Sequence, residues 1–154
     1  MPETVFDRLH ARLTTAGVPF TVSHHEAVFT SEQAAAVRGV SMASGAKALV
    51  VKLNDDFRMI VLPADRKLDS KAVKSSLGVK SIRFATREEV EQITGLQPGS
   101  IPPFGSLFGL RTFVDVALAD QPMLNFNAGD HAISIALTYA DYVQVESPTP
   151  ARVS

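Results

Sequence analysis

The residues from Thr94 to Gly109, T-G-L-Q-P-G-S-I-P-P-F-G-S-L-F-G, hold four glycines and three prolines. That composition excludes a helix or a central strand. Leu96, Ile101, Phe104, Leu107 and Phe108 make the stretch too apolar for a solvated linker. It reads as an ordered loop, pinned by those side chains, that turns backbone N–H groups towards a partner. A buried structural crossover is the alternative. Glycines at 95, 99, 105 and 109 permit close approach and positive φ, while Pro98, Pro102 and Pro103 stiffen the path.

Other candidate chemistry is tested by spacing. His24-His25-Glu26 would need a second histidine at position 29 to make a zinc-binding HExxH helix, and position 29 is Phe. Gly39 to Lys47, G-V-S-M-A-S-G-A-K, has five residues between its glycines, and Ala46 separates Gly45 from the lysine. A phosphate loop needs four residues and an adjacent lysine, so a nucleoside triphosphate site is not expected. Lys47 opens an apolar strand; it either keeps its ammonium in water or reaches into a pocket to meet an anion or carbonyl. No cysteine is present, which removes disulfides, thiolate metal sites and a cysteine nucleophile. No metal site and no cofactor are expected.

From Asp65 to Arg87 the charge changes sign. Arg66, Lys67, Lys71, Lys74, Lys80, Arg83 and Arg87 face only Asp65 and Asp69, in a chain of net charge −1. This segment is either a solvated face or a surface for a phosphate backbone.

The elements that must position these residues follow from periodicity. Thr4–Ala16 has the apolar spacing of an amphipathic helix stopped by Gly17. Val18–Ser23 is a strand. Thr30 with Gln33 forms a capping box for a short helix to Arg38. Ala46–Leu53 and Phe57–Pro63 are apolar strands joined through Asn54-Asp55-Asp56. Asp69 caps a helix over Ser70–Leu77 that sets Lys67, Lys71 and Lys74 on or near one face. Ser81–Ala85 is a strand, and Thr86 with Glu89 caps a helix to about Ile93. Further strands are expected at Arg111–Val116, Met123–Phe126, Ala132–Leu137 and Tyr142–Val145, with a tight turn over Asn127–His131. The 154 residues, 45% hydrophobic, fit one domain over 1–146 and a flexible tail over 147–154. With no apolar run of membrane length and no signal-like start, a cytoplasmic protein is expected.

Gly95-Leu-Gln-Pro-Gly-Ser-Ile-Pro-Pro-Phe-Gly105, downstream of Gly45-Ala-Lys-Ala and of Val-Leu-Pro-Ala-Asp-Arg-Lys67, resembles the YbaK/prolyl-tRNA-synthetase-associated editing-domain family. The Phe126-Asn-Ala-Gly129 turn followed by Ser134-Ile135 is similar too, so the resemblance runs from about Phe20 to Val145. Members are stand-alone or synthetase-inserted deacylases of wrongly charged tRNA. The resemblance implies an α+β fold with a mixed, barrel-like β-sheet and several short helices. It also implies a functional lysine at Lys47 and a functional loop over Gly99–Pro103.

Hydrolysis of the activated aminoacyl ester then needs an oriented water and N–H donors for the oxyanion, here Ser100 and Ile101 beside Gly99, with the terminal ribose hydroxyl assisting. Lys47 would anchor the terminal phosphate or other polar atoms of the substrate. Substrate-binding residues would be Thr30, Pro102, Pro103, Phe104, Gly105, Asn127, Gly129 and His131, although Thr30 also serves as a helix cap and His131 also suits a surface turn. Lys67, Lys71, Lys74, Lys80 and Arg83 would meet the tRNA backbone. The helix start at Thr30 is closer to the stand-alone trans-editing members, which implies a small or hydroxylated amino acid such as alanine, serine or threonine. The implied partners are mischarged tRNA and a synthetase. A non-catalytic tRNA- or synthetase-binding module of the same fold is the second hypothesis.

Overall fold

The computed structural model describes residues 3–154. Its elements run α1 (Val5–Ala16), β1 (Thr21–His24), α2 (Ser31–Arg38), β2 (Ala46–Leu53), β3 (Asp56–Pro63), α3 (Ser70–Leu77), β4 (Ile82–Phe84) and α4 (Arg87–Thr94). They continue with β5 (Thr112–Asp115), β6 (Met123–Asn127), β7 (Ile133–Thr138), α5 (Tyr139–Glu146) and β8 (Thr149–Ala151), and three short 3-10 turns fill the gaps. No helix is long and apolar enough to cross a membrane among the described residues.

The fold is α+β with two sheets. A five-stranded sheet has the order β4-β2-β3-β5-β8, with β3–β5 and β5–β8 parallel and the other pairs antiparallel. A three-stranded antiparallel sheet has the order β1-β7-β6. The barrel-like closure expected from the sequence does not form. The sheets remain open and meet at one isolated bridge between Gly45 and Asn125. Gly45 also packs tightly against the end of β3, where a Cβ would lie 2.9 Å from the Cβ of Ala64.

Strand alternation divides the core in two. Ala46, Ala48 and Val50 of β2 and Met59 and Val61 of β3 face a cluster with Leu9, Leu13, Phe104, Phe126, Ile135 and Tyr142. Val51, Leu53, Ile60 and Leu62 face the opposite side, where they meet Val73, Phe113, Ala151 and Val153.

Two expectations are corrected here. Tyr142–Val145 lies in helix α5 rather than in a strand. Thr138 caps the helix by accepting from the Asp141 N–H, and Tyr142 and Glu146, four residues apart, both point inward. The β propensity of the Tyr and Val residues yields to that cap and to the burial of Tyr142, whose hydroxyl donates to the Pro103 carbonyl at 2.7 Å. Residues 147–154 are not a flexible tail. They contain β8, paired with β5, and Val153 is fully buried. The Asp69 N–H donates to the Val153 carbonyl at 2.8 Å and the Ser76 hydroxyl to the Arg152 carbonyl at 2.9 Å, so the segment also holds α3. Apolar Ala151 and Val153 supply the driving force that a Pro/Ser/Thr-rich composition conceals.

Candidate active site

A cavity of about 160 Å³ opens where the two sheets meet. Its walls come from Val28–Thr30, from Ala34, Ala35 and Arg38 of α2, from Gly45–Ala48, from Gly99 and Ile101, and from Asn125–Asn127. Helix α2 presents alanines to this space, and their small side chains leave it open.

The glycine/proline loop borders the cavity through a tight turn. The Ser100 N–H and hydroxyl both donate to the Gln97 carbonyl, at 3.2 and 2.8 Å, closing a turn over Gln97-Pro98-Gly99-Ser100. Proline second and glycine third, with Gly99 at φ 90°, is the type II pattern. Two clamps hold the turn. The Asn127 side-chain amide donates to the Gly99 carbonyl at 2.6 Å, and the Gly129 N–H donates to the Ser100 carbonyl at 2.8 Å. The Ser100 N–H, expected to be an open donor, is therefore committed inside the turn. Among the described residues, no protein acceptor takes the N–H of Gly99 or of Ile101. Within Gly99–Pro103 those two are the donors left, since Pro102 and Pro103 have no N–H.

Lys47 lines the cavity from the start of β2, with Nζ donating to the Arg66 carbonyl at 2.8 Å. Partial burial lowers its pKa; Asp65 pulls the other way, and Lys67 adds to the lowering. The second cation, Arg38, is one that sequence reasoning passed over. Its Nε donates to the Ser134 hydroxyl at 2.9 Å, and its two terminal nitrogens donate to the side-chain oxygens of Asn125 at 2.8 Å and Asn127 at 2.9 Å. These acceptors are neutral, and burial brings the guanidinium down to about 10, which leaves it charged at neutral pH. Among the described residues, three of its five N–H bonds find an acceptor and two do not. The strand expected over Met123–Phe126 runs one residue further, to Asn127, and so puts Asn125 and Asn127 on one face.

The other expected site residues separate. Thr30 lines the cavity and also caps α2, accepting from the Gln33 N–H at 3.1 Å. Asn127 lines the cavity. His131 flanks it: a Cβ on Gly99 would lie 3.3 Å from its ring. Gly129 turns the other way, against Val5 and Phe6 of α1. Pro102, Pro103, Phe104 and Gly105 are buried away from the cavity. Phe104 packs edge-on against Phe126 and Tyr142, and Gly105 leaves no room for a Cβ beside Thr112.

Lys67, Lys71, Lys74 and Lys80 are exposed. Arg83 instead forms a two-pronged pair with Glu89, at 2.7 and 2.9 Å. That pairing holds the Glu89 carboxyl down to about 2.

Comparison with known proteins gives a consistent family. The model of the aminoacyl-tRNA editing domain matches residues 25–145. A multifunctional Ser/Thr-tRNA deacylase, ProXp-y, of Escherichia coli strain K12 is 34% identical over 146 residues, spanning 92% of this chain and 87% of that one. A proline–tRNA ligase of Bacillus licheniformis is 27% identical over 139 residues, which are 82% of this chain but 24% of the ligase. The fold matches that of a crystal structure proposed to be a trans-editing enzyme for prolyl tRNA synthetase. That match has a TM-score of 0.86 and 22% identity, and it covers 100% of this chain and 99% of that one.

Proposed function

The chain belongs to the aminoacyl-tRNA editing domain family, and we propose that it is a trans-editing deacylase that hydrolyses the ester of tRNA carrying a small or hydroxylated amino acid. The observation that carries this reading is the turn at Gly99: Gly99 and Ile101, whose N–H groups find no protein acceptor among the described residues, line a cavity with Lys47 and Arg38.

In this reading, water attacks the ester carbonyl carbon, and the carbonyl oxygen becomes an oxyanion that accepts from the Gly99 and Ile101 N–H groups. Fixed backbone donors suit this task because they need no reorganisation as the charge develops. Collapse of the intermediate breaks the bond to the terminal ribose oxygen, which takes a proton, and the free amino acid leaves. The neighbouring ribose hydroxyl helps to position the water. Lys47 holds the terminal phosphate or the polar atoms of the ester. The bond from Asn127 to the Gly99 carbonyl sets the orientation of the turn.

The cavity volume favours a small side chain. Its polar floor of Arg38, Asn125 and Asn127 favours one that carries a hydroxyl. Exposed Lys67, Lys71, Lys74 and Lys80 are assigned to the tRNA backbone; Arg83, held by Glu89, is left out of that surface. The proposed setting is the cytoplasm, acting on mischarged tRNA in solution or beside a synthetase.

Single-turnover deacylation of seryl-, threonyl-, alanyl- and correctly charged prolyl-tRNA tests the reading. Rapid release of at least one of the first three, with prolyl-tRNA spared, is expected. Tight tRNA binding with no release of any of them would favour the non-catalytic module.

A further inference from the structure

Phe29 stands at the cavity edge with 69% of its surface exposed. Its ring centroid lies 4.5 Å from that of His131, with the ring planes 35° apart. The backbone under the pair is fixed. The Val28 N–H donates to the His131 carbonyl at 3.0 Å, and His131 Nδ1 bonds the Val28 carbonyl at 3.0 Å. A carbonyl only accepts, so Nδ1 carries the proton. On the other side, the Phe29 N–H donates to the Gln33 side chain at 3.0 Å, and Thr30 caps α2. A large aromatic ring left in water on so constrained a backbone is a preformed stacking surface.

Its place along the cavity rim indicates the occupant. The ring of His131 touches the position a Cβ on Gly99 would take, so the platform adjoins the turn that offers the open N–H groups. From an ester carbonyl at that turn, the covalent path of the substrate runs through one ribose to one base. That base is the last of the RNA, it is unpaired, and both of its faces are free to stack. Resting on the deacylase reading above, we propose that Phe29 and His131 form the platform for the unpaired terminal base of the tRNA acceptor end. Lys47 and the Gly99 turn hold the phosphate and ester sides of the same nucleotide.

The test uses the full chain and an uncharged acceptor-stem RNA hairpin with a single-stranded CCA end, its terminal adenine replaced by 2-aminopurine. Stacking on the platform should quench the 2-aminopurine fluorescence on binding. Phe29→Ala should abolish the quench and weaken binding roughly 5- to 150-fold, the range of base–aromatic stacking. Phe29→Trp should restore both, and Phe29→Leu should not. A hairpin shortened by the terminal nucleotide should bind wild type and Phe29→Ala equally. An unchanged quench and affinity in Phe29→Ala, or full rescue by Phe29→Leu, would overturn the platform. Because the hairpin carries no ester, this result stands apart from the deacylase reading, which fails only if wild type releases no amino acid from charged tRNA.

Discussion

The side-chain amide of Asn127 donates to the carbonyl of Gly99 at 2.6 Å, while its oxygen accepts from Arg38 at 2.9 Å. One side chain therefore ties the turn to the cation, both of which line the cavity. Asn127→Asp keeps the acceptor for Arg38 but sets a second acceptor against the Gly99 carbonyl. The turn should move, and the single-turnover rate should fall on the order of 10²-fold, the cost of a 1 Å misplacement near the reacting atoms. Thermal unfolding should stay near wild type, because the carboxylate gains an ion pair with Arg38. An unchanged rate would remove Asn127 from the positioning of the turn.

Gly99 and Ser100 separate backbone from side chain. Gly99→Val places a branched side chain at φ 90° and 3.3 Å from His131, so the turn must distort. Deacylation should drop by roughly 10²–10³-fold, the worth of one oxyanion donor. Ser100→Ala loses only the hydroxyl bond to Gln97, about 1 kcal/mol of stability. Its rate should stay within a few-fold of wild type. A fully active Gly99→Val protein would place the oxyanion site elsewhere.

Lys47 makes a prediction in pH. Burial, partly opposed by Asp65, lowers its pKa from the ordinary 10.5. If its charge serves the reaction, enzyme-dependent hydrolysis should decline at a pH below 10.5, once spontaneous ester hydrolysis is subtracted. Stability should move the opposite way. The fold disfavours the ammonium, so this group's contribution grows as pH rises through the lowered folded pKa towards the unfolded value. Lys47→Ala should cut the rate on the order of 10²-fold and remove the alkaline decline. If the decline persists in that variant, another group causes it.

The basic segment should respond unevenly. Changing Lys67, Lys71 and Lys74 together to Ala should weaken tRNA binding and flatten its salt dependence, by about 0.7–0.9 of log–log slope per lost phosphate contact. Arg83→Ala should leave the slope alone, because Glu89 already holds the guanidinium. Filter binding from low to moderate salt distinguishes these outcomes. Equal slopes for wild type and the triple variant would reduce the segment to a solvated face.

What could be read in advance was local. Thr30, Asp69 and Thr86 cap helices where expected, because each bond lies within a few residues of the cap. The β2–β3 hairpin follows from two apolar runs around Asn54, which takes φ 54° in the turn. The failures involve distant partners. Arg38 meets Asn127 across 89 residues, and no periodicity signals that meeting. Phe104 sits in a loop that reads as a ligand wall, yet Tyr142 and Phe126 enclose it. Thr138 caps α5 in the structure, whereas the Tyr and Val residues that follow have the β propensity of a strand.

The packing of Ala151 and Val153 against Val51, Ile60 and Phe113 has a consequence during synthesis. As the nascent chain emerges, β2 and β3 can pair at once, since only a two-residue turn separates them. Their outer face then waits through about 90 further residues for the strand that helps cover it, a long and therefore slow loop closure. Over that interval Ile60 and Leu62 lack part of their final cover, and α3 lacks its bonds to Arg152 and Val153. The lysine-bearing helix therefore gains these two bonds only once residues 152 and 153 have docked.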